Sequence, residues 1–243
     1  MLRSASISRN VLSDQVKDHL LQAILAGEYL PGSRIVETRV ARQLGISQAP
    51  VREALRDLEA LGVVESTAFQ GARVRRPNKA ELLEAYGVRA ELESLGARLA
   101  LPRMLDADFA ELQGYLEALT RAASAGDTHE EARVDATFHS RLIEIAGNRT
   151  LERVWRYLEP VSRTYITLVI PGMNPHEIAD LHHPILAALR EGDAQKAEEA
   201  VRRHFLVAGG MFASLWVEPD ADELPAGETA PITNLANVGR LAS

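Results

Sequence analysis

From Lys79 to Trp216, apolar residues recur at three- and four-residue steps in every long segment, the mark of helices that each bury one stripe. Breaks fall at Pro102, Gly126-Asp127, Gly147-Asn148, Pro171-Gly172 with Pro175, and Gly192-Asp193. The pattern predicts helices near 79–101, 105–125, 128–146, 149–170, 176–191 and 193–215. Short connections and no β-rich run describe an all-α antiparallel bundle. The first third reads differently. Val16, Leu20, Leu21, Ile24 and Leu25 mark a helix from about Ser13 to Ala26, stopped by Gly27. After the turn at Pro31-Gly32 comes a short helix from about Glu37 to Leu44, then Gly45, then a second helix opening at Ser47. Val51, Leu55, Leu58 and Leu61 form the stripe of that helix. Val63–Glu65 and Ala72–Arg75 read as strands, with Gly71 allowing a tight reversal. Helix, turn, helix and hairpin in that order make a winged helix-turn-helix. The expected fold is therefore mainly α: an N-terminal winged helix-turn-helix and a C-terminal helical bundle. The expected boundaries are a flexible end over 1–10, the head over 11–76, the bundle over 79–217 and a polar, disordered tail over 218–243.

The helix opening at Ser47 carries the first candidate chemistry. Ser47 suits an N-cap, since its hydroxyl accepts from free amides of the next turn, and Pro50 is tolerated in a first turn. Ser47, Gln48, Ala49 and Arg52 escape the apolar stripe. Gln can pair bidentately with N6 and N7 of adenine, and Arg grips guanine or phosphate, so these residues suit base reading. In the wing, Gln70, Gly71 and Arg73 are placed to reach a groove or a phosphate. A plain helical hairpin would share the periodicity, and a plain β-hairpin would share the strands.

Charge sharpens this picture. The 243-residue chain has net charge −7, which argues against a surface coated in nucleic acid. Residues 1–78 hold 11 Arg and Lys against 8 Asp and Glu, so the first third is mildly basic and the rest acidic. No apolar run is long enough to cross a membrane, and MLRSASISRN lacks the apolar core of a signal peptide. Cysteine is absent, which excludes disulfides and thiolate metal sites. A cytoplasmic location is expected.

A second constellation lies in the bundle. Asp135 and His139 are four apart on one predicted helix and so share a face. His182 and His204 flank the turn at Gly192-Asp193, which would bring them to a similar level. One carboxylate and three imidazoles suit a divalent ion, zinc first, nickel or manganese next. Spacing leaves His183 and His176 open as competing ligands, and a simple Asp–His pair is the bland alternative. Glu93 and Glu144 read as plain helix carboxylates with no clear general-base position.

With both halves read, the chain resembles the GntR superfamily of bacterial transcription regulators, in its FadR-like branch with the FCD effector domain. The likeness spans about residues 11–216. It rests on LPGSRIVETRVARQLGISQAPVREALRDLEALGVVE with Gly71, and on VRAELESLGARLA, DATFHSRLIEIAGN and LHHPILAALREGDAQKAEEAVRRHF in that order. The resemblance implies an FCD-type bundle whose metal ligands fall on Asp135, His139, His182 and His204. It implies effector contacts at Arg89, whose forked guanidinium suits a carboxylate, and at Asn148 and Arg163. Asn148 also reads as a helix-ending residue. Two departures bear on DNA. Thr38 stands where many relatives carry Arg, followed here by Arg39, and Gln48-Ala49 replace a frequent Arg-Thr. The Gln should move base preference toward adenine. The implied protein is not an enzyme but a homodimeric, ligand-responsive regulator, most often a repressor, of a metabolic operon. It would bind a palindromic operator on double-stranded DNA through Gln48 and its neighbours, with phosphate anchoring by Arg52, Arg39 and the wing, and would sense a small organic acid. A metal sensor, or a metal-dependent enzyme fused to a DNA-binding head, are the alternatives.

Overall fold

The computed structural model describes the backbone of residues 4–67, 71–76, 78–169 and 173–216, and their side chains except those of 4–11, 67 and 161–169. The expected tail, Gln70, Pro77 and the side chain of Arg163 therefore lie outside the described residues. Two compact units divide at Arg76 and Pro77, the second running through Pro77–Glu218.

In the first unit, α1 spans Ser4–Leu25. It starts well before Ser13, so residues 4–10, expected as a flexible end, have helical backbone. Next come β1 (Arg34–Ile35), α2 (Glu37–Leu44), α3 (Gln48–Ala60), β2 (Val64–Thr67) and β3 (Gly71–Val74). The turn between α2 and α3 is built on Gly45, whose φ of 67° costs a glycine little. Ile46 N–H reaches back to the Ala41 carbonyl at 3.0 Å and closes α2. Val51, Leu55 and Leu58 are buried, as the stripe predicts. Leu61 is only half-buried. Ser47 takes the N-cap position of α3 but makes no side-chain cap bond. A cap hydroxyl accepts from the second or third amide of a helix, and the third residue here is Pro50, which has none.

The strands pair antiparallel in the order β1-β3-β2. Arg34 faces Arg73 and Ile35 faces Ala72 on one side of β3; Val64 faces Val74 on the other. The two-residue β1 is not visible in the hydrophobic pattern because it is too short to alternate; β3 creates it.

The second unit is the bundle: α4 (Lys79–Ala100), a 3-10 turn at Leu101–Arg103, α5 (Asp106–Ala125), α6 (Thr128–Ala146), α7 (Arg149–Val169), α8 (Pro175–Asp180), α9 (His183–Glu191) and α10 (Ala194–Leu215). Its core includes Leu82, Tyr86, Leu112, Leu116, Phe138, Ile185, Val201, Phe205 and Phe212. α4 packs most extensively on α10. Small residues permit the close approach: a Cβ on Gly209 would lie 3.1 Å from Tyr86 Cβ.

The expected helix 176–191 is two helices. Pro184, second residue of α9, has no N–H to continue the ladder, and its ring would clash with the carbonyl four residues back. The chain breaks at Leu181-His182, where His182 N–H turns to the Ala179 carbonyl in a tightened turn.

Gly209→Val should drive α10 from Tyr86 and destabilise the bundle by about 1–3 kcal/mol. The urea midpoint of the helical signal should fall accordingly; an unchanged midpoint would show that the α4–α10 contact yields without strain.

Candidate metal centre and nucleic-acid interface

Two helices and one helix break converge on one buried spot. Asp135 and His139 point inward from α6, His182 stands at the break before α9, and His204 projects from α10. Each is 6% exposed or less. One ligand atom from each of the four lies within 4.8 Å of the others. The exposed His183 and His176 stay outside this group.

The break at Pro184 orients the imidazoles. His182 Nδ1–H is donated to the Ile178 carbonyl at 3.0 Å. The Leu181 carbonyl, left free because Ile185 N–H turns to the His182 carbonyl, accepts His204 Nδ1–H at 3.3 Å. A carbonyl only accepts, so both rings carry the proton on Nδ1 and leave Nε2 for the centre. His139 places Nδ1 2.6 Å from Glu93 Oε2, a close contact bent too far for a well-formed hydrogen bond. Its Nε2 lies 3.9 Å from Asp135 Oδ1.

His182 Nε2 lies 3.0 Å from Asp135 Oδ1, with no aligned hydrogen bond between them. Two lone pairs at that distance repel unless positive charge sits between them. Neighbouring ligands of an ion with bonds of about 2.1 Å are about 3.0–3.4 Å apart. The separation, the free Nε2 atoms of His139 and His182 and the mixed N/O donor set therefore fit a divalent cation.

Electrostatics agrees. Burial pushes the Asp135 carboxyl up, but contact with His182 and the fields of His139 and Arg89 outweigh it and hold the group well below the usual carboxylate range. Burial and the neighbouring imidazoles of His182 and His139 press His204 well below its ordinary value, leaving a neutral ligand. One turn before Asp135, Glu131 is buried with Oε1 unpartnered. Burial first, then the Asp135 charge, push its carboxyl up to about 7.

Beside the four lies Arg89, 2% exposed. Its Nε donates to Glu93 Oε1 at 2.8 Å, and Trp155 Nε1 donates to the same oxygen at 2.7 Å. The guanidinium carbon stands 4.5 Å from the Phe205 ring centroid. Arg89 Nη2 is buried without a partner. Glu93 is thus no ordinary helix carboxylate: burial would raise it, but Arg89, His139 and Trp155 keep it ionised. Only its four-residue step from Arg89 hinted at this. Glu144 is surface-exposed near Arg141. Asn148 is not drawn into the cluster; its side-chain oxygen accepts from Thr150 and Leu151 N–H at 3.1 Å each and caps α7.

In the head, Ser47, Gln48 and Arg52 are exposed on α3 and Ala49 is half-buried. Arg56, one turn beyond Arg52, is exposed too, which its four-residue spacing could have flagged. Arg39 is half-buried. Gly71 opens β3 with φ of 81°. Arg73 is less available than expected, because its Nη1 donates to the Gly32 carbonyl at 3.0 Å and ties the wing to the turn before β1.

An exposed recognition helix with a wing, joined to a helical body with a buried polar pocket, defines a DNA-binding regulator class. The chain belongs to the bacterial regulatory proteins of the gntR family, whose model matches residues 12–74, and carries an FCD domain over residues 84–206. It is a DNA-binding transcriptional regulator rather than an enzyme. It is 35% identical to a probable D-xylose utilization operon transcriptional repressor of Paenarthrobacter nicotinovorans, over 83% of this chain and 88% of that one. It is 30% identical to the HTH-type transcriptional regulator McbR of Escherichia coli K12, over 76% and 85%. The solved structure of E. coli McbR/YncC matches with a TM-score of 0.74 at 27% identity, covering 84% of this chain and 97% of that one. Among the described residues, no helix is long and apolar enough to cross a membrane.

Glu131 yields a test with a defined sign. Its raised carboxyl favours folding while protonated, so its contribution is full below about 4.5 and is lost as pH rises through about 7. In chelator-treated protein, Glu131→Gln should stabilise the bundle by about 1 kcal/mol at pH 8, with the gain shrinking toward pH 4.5. Thermal unfolding across that range checks it; a gain independent of pH would contradict the assignment.

Proposed function

We propose that this chain is a cytoplasmic, homodimeric repressor of a metabolic operon whose hold on a palindromic operator responds to a small carboxylic acid in the bundle. The observation that carries this reading is the unpartnered, buried Arg89 Nη2 beside the Asp135–His139–His182–His204 group. A buried guanidinium donor without a partner is costly, and a ligand carboxylate is the group that satisfies a planar fork. The four-residue group would hold a divalent ion, zinc in first place, with nickel or manganese also suited to the donors. When bound, such an ion supplies a Lewis-acidic position that attracts an anionic ligand. The chain's own residues do the rest. Nδ1 bonds to Ile178 and Leu181 orient two imidazoles, Glu93 holds one edge of Arg89, and Phe205 shields the guanidinium from water. The name of the Paenarthrobacter relative, a repressor of a utilization operon, supports a metabolic role.

On the head, Gln48, Ser47 and Ala49 would meet bases, and Arg52 and Arg39 phosphates. Gly71 would let the wing approach closely, with Gln70 and Arg73 beside it. A ligand shifts operator affinity only by preferring one arrangement of the dimer; typical coupling changes it about 5–150-fold.

Two body variants test the pocket. His139→Ala should lose bound metal by elemental analysis and lose the acid response, while the head still binds DNA. Arg89→Lys, which keeps the charge against Glu93, should keep metal but lose most of the acid response. Metal retained in the first variant, or full response in the second, would remove the basis of the pocket reading. DNA release on chelation alone would favour a metal sensor, and consumption of the acid an enzymatic role. For the head, Arg52→Ala should weaken binding to the duplex that wild-type protein enriches from a random library by roughly 5- to 150-fold.

A further inference from the structure

The exposed face of α3 holds an ion pair that stability does not explain. Arg52 Nη2 lies 3.0 Å from Glu37 Oε2, and Arg52 Nε donates to the same oxygen at 3.2 Å. The Arg52 side chain is 54% exposed and that of Glu37 33%. A pair this wet adds little to folding. Its position is the informative part. Glu37 is the first residue of α2, and Arg52 lies in the second turn of α3, so the contact crosses between the two helices of the motif. An acid at a helix start gains from the helix dipole, which accounts for the carboxylate but not for its reach to Arg52.

The geometry divides the guanidinium. Glu37 occupies the Nε and Nη2 edge, and Nη1 has no protein partner among the described residues. Gln48 and Arg56 stand exposed one turn before and one turn after Arg52. A free arginine on this face would sweep many directions and meet any phosphate. A tethered one offers only its remaining donors, along one direction.

We propose that Glu37 is a positioning and specificity-determining residue for DNA recognition: it aims Arg52 through a fork-edge ion pair and, as an anion on the same face, opposes loose phosphate binding. This inference rests on Arg52 as a DNA contact. It assigns Glu37 two effects of opposite sign. Aiming Arg52 in advance lowers the ordering cost when the correct duplex binds. The carboxylate also lowers affinity for any polyanion that does not use the aimed donors.

The test compares wild-type protein with Glu37→Gln, Arg52→Ala and the double variant, all as full chains with unchanged thermal unfolding. Two probes are used: the duplex that wild-type protein enriches from a random library, and a mixed-sequence duplex of equal length. Fluorescence anisotropy at fixed salt should show Glu37→Gln weakening the enriched duplex by about two- to tenfold. Affinity for the mixed duplex should hold or rise, so discrimination falls. In the Arg52→Ala background the same substitution should no longer weaken the enriched duplex; affinity should hold or rise, as it does for the mixed duplex. Equal losses on both duplexes would make Glu37 a structural residue and overturn the inference. So would tighter binding of the enriched duplex, which would make Glu37 only a competitor. If Arg52→Ala weakens binding and Glu37→Gln preserves discrimination, the role of Glu37 alone fails. If Arg52→Ala has no effect, the Arg52 contact and the inference fail together.

Discussion

A carboxylate sealed inside a helical bundle must be answered by positive charge, and the body's buried arginine is largely spoken for. Arg89 is committed along one edge to Glu93, so its charge is balanced locally. Asp135 is left among three imidazoles, 3.0 Å from His182 Nε2. Buried charges are tolerated only when paired and hydrogen-bonded. The inward turn of the imidazoles, the open end of Arg89 and the strain on Glu131 all follow from that one requirement. A divalent ion between the four side chains would answer Asp135, and an anionic ligand would satisfy the open Nη2 of Arg89.

The pocket depends on a break in the helical ladder as much as on its polar residues. Pro184 interrupts what would otherwise be one long helix, and the interruption places His182 at a cap and frees the Leu181 carbonyl. Each carbonyl then dictates which nitrogen of an imidazole keeps its proton. Glu93 extends the same logic across the bundle, joining Arg89 on its own helix, Trp155 on α7 and His139 on α6. The head solves a different problem, since its functional side chains face water and gain little from burial. There, direction comes from tethering: Glu37 against Arg52, and Gly32 against Arg73.

Most of the helical body was legible because apolar spacing reports burial directly, and breaks at glycine and proline are local chemistry. The helix-turn-helix was legible for the same reason, with Gly45 marking the turn. The misses share another origin. β1 exists only because β3 pairs with it, and Ser47 loses its cap bond because Pro50 supplies no amide. The second half of the expected 176–191 helix starts afresh because a proline in a favourable apolar pattern still removes an N–H. In the candidate site, four-residue spacing exposed Asp135 with His139, but nothing local separated His182 from His183; the family resemblance made that choice. Glu93 looked like any helix carboxylate because its three partners lie on helices distant in sequence or a turn away.

The sequence by itself determined the order of elements, the division into a DNA-reading head and a helical body, and the residue types available to each site. Those follow from periodicity, turn chemistry and side-chain inventory, all encoded over a few neighbouring residues. Only the tertiary structure decided which nitrogen each histidine turns inward, that Glu93 holds Arg89, that Asn148 is occupied as a cap, and that Arg52 is tethered to Glu37. These are contacts whose distances and directions depend on how separate helices pack, and no local pattern carries that information.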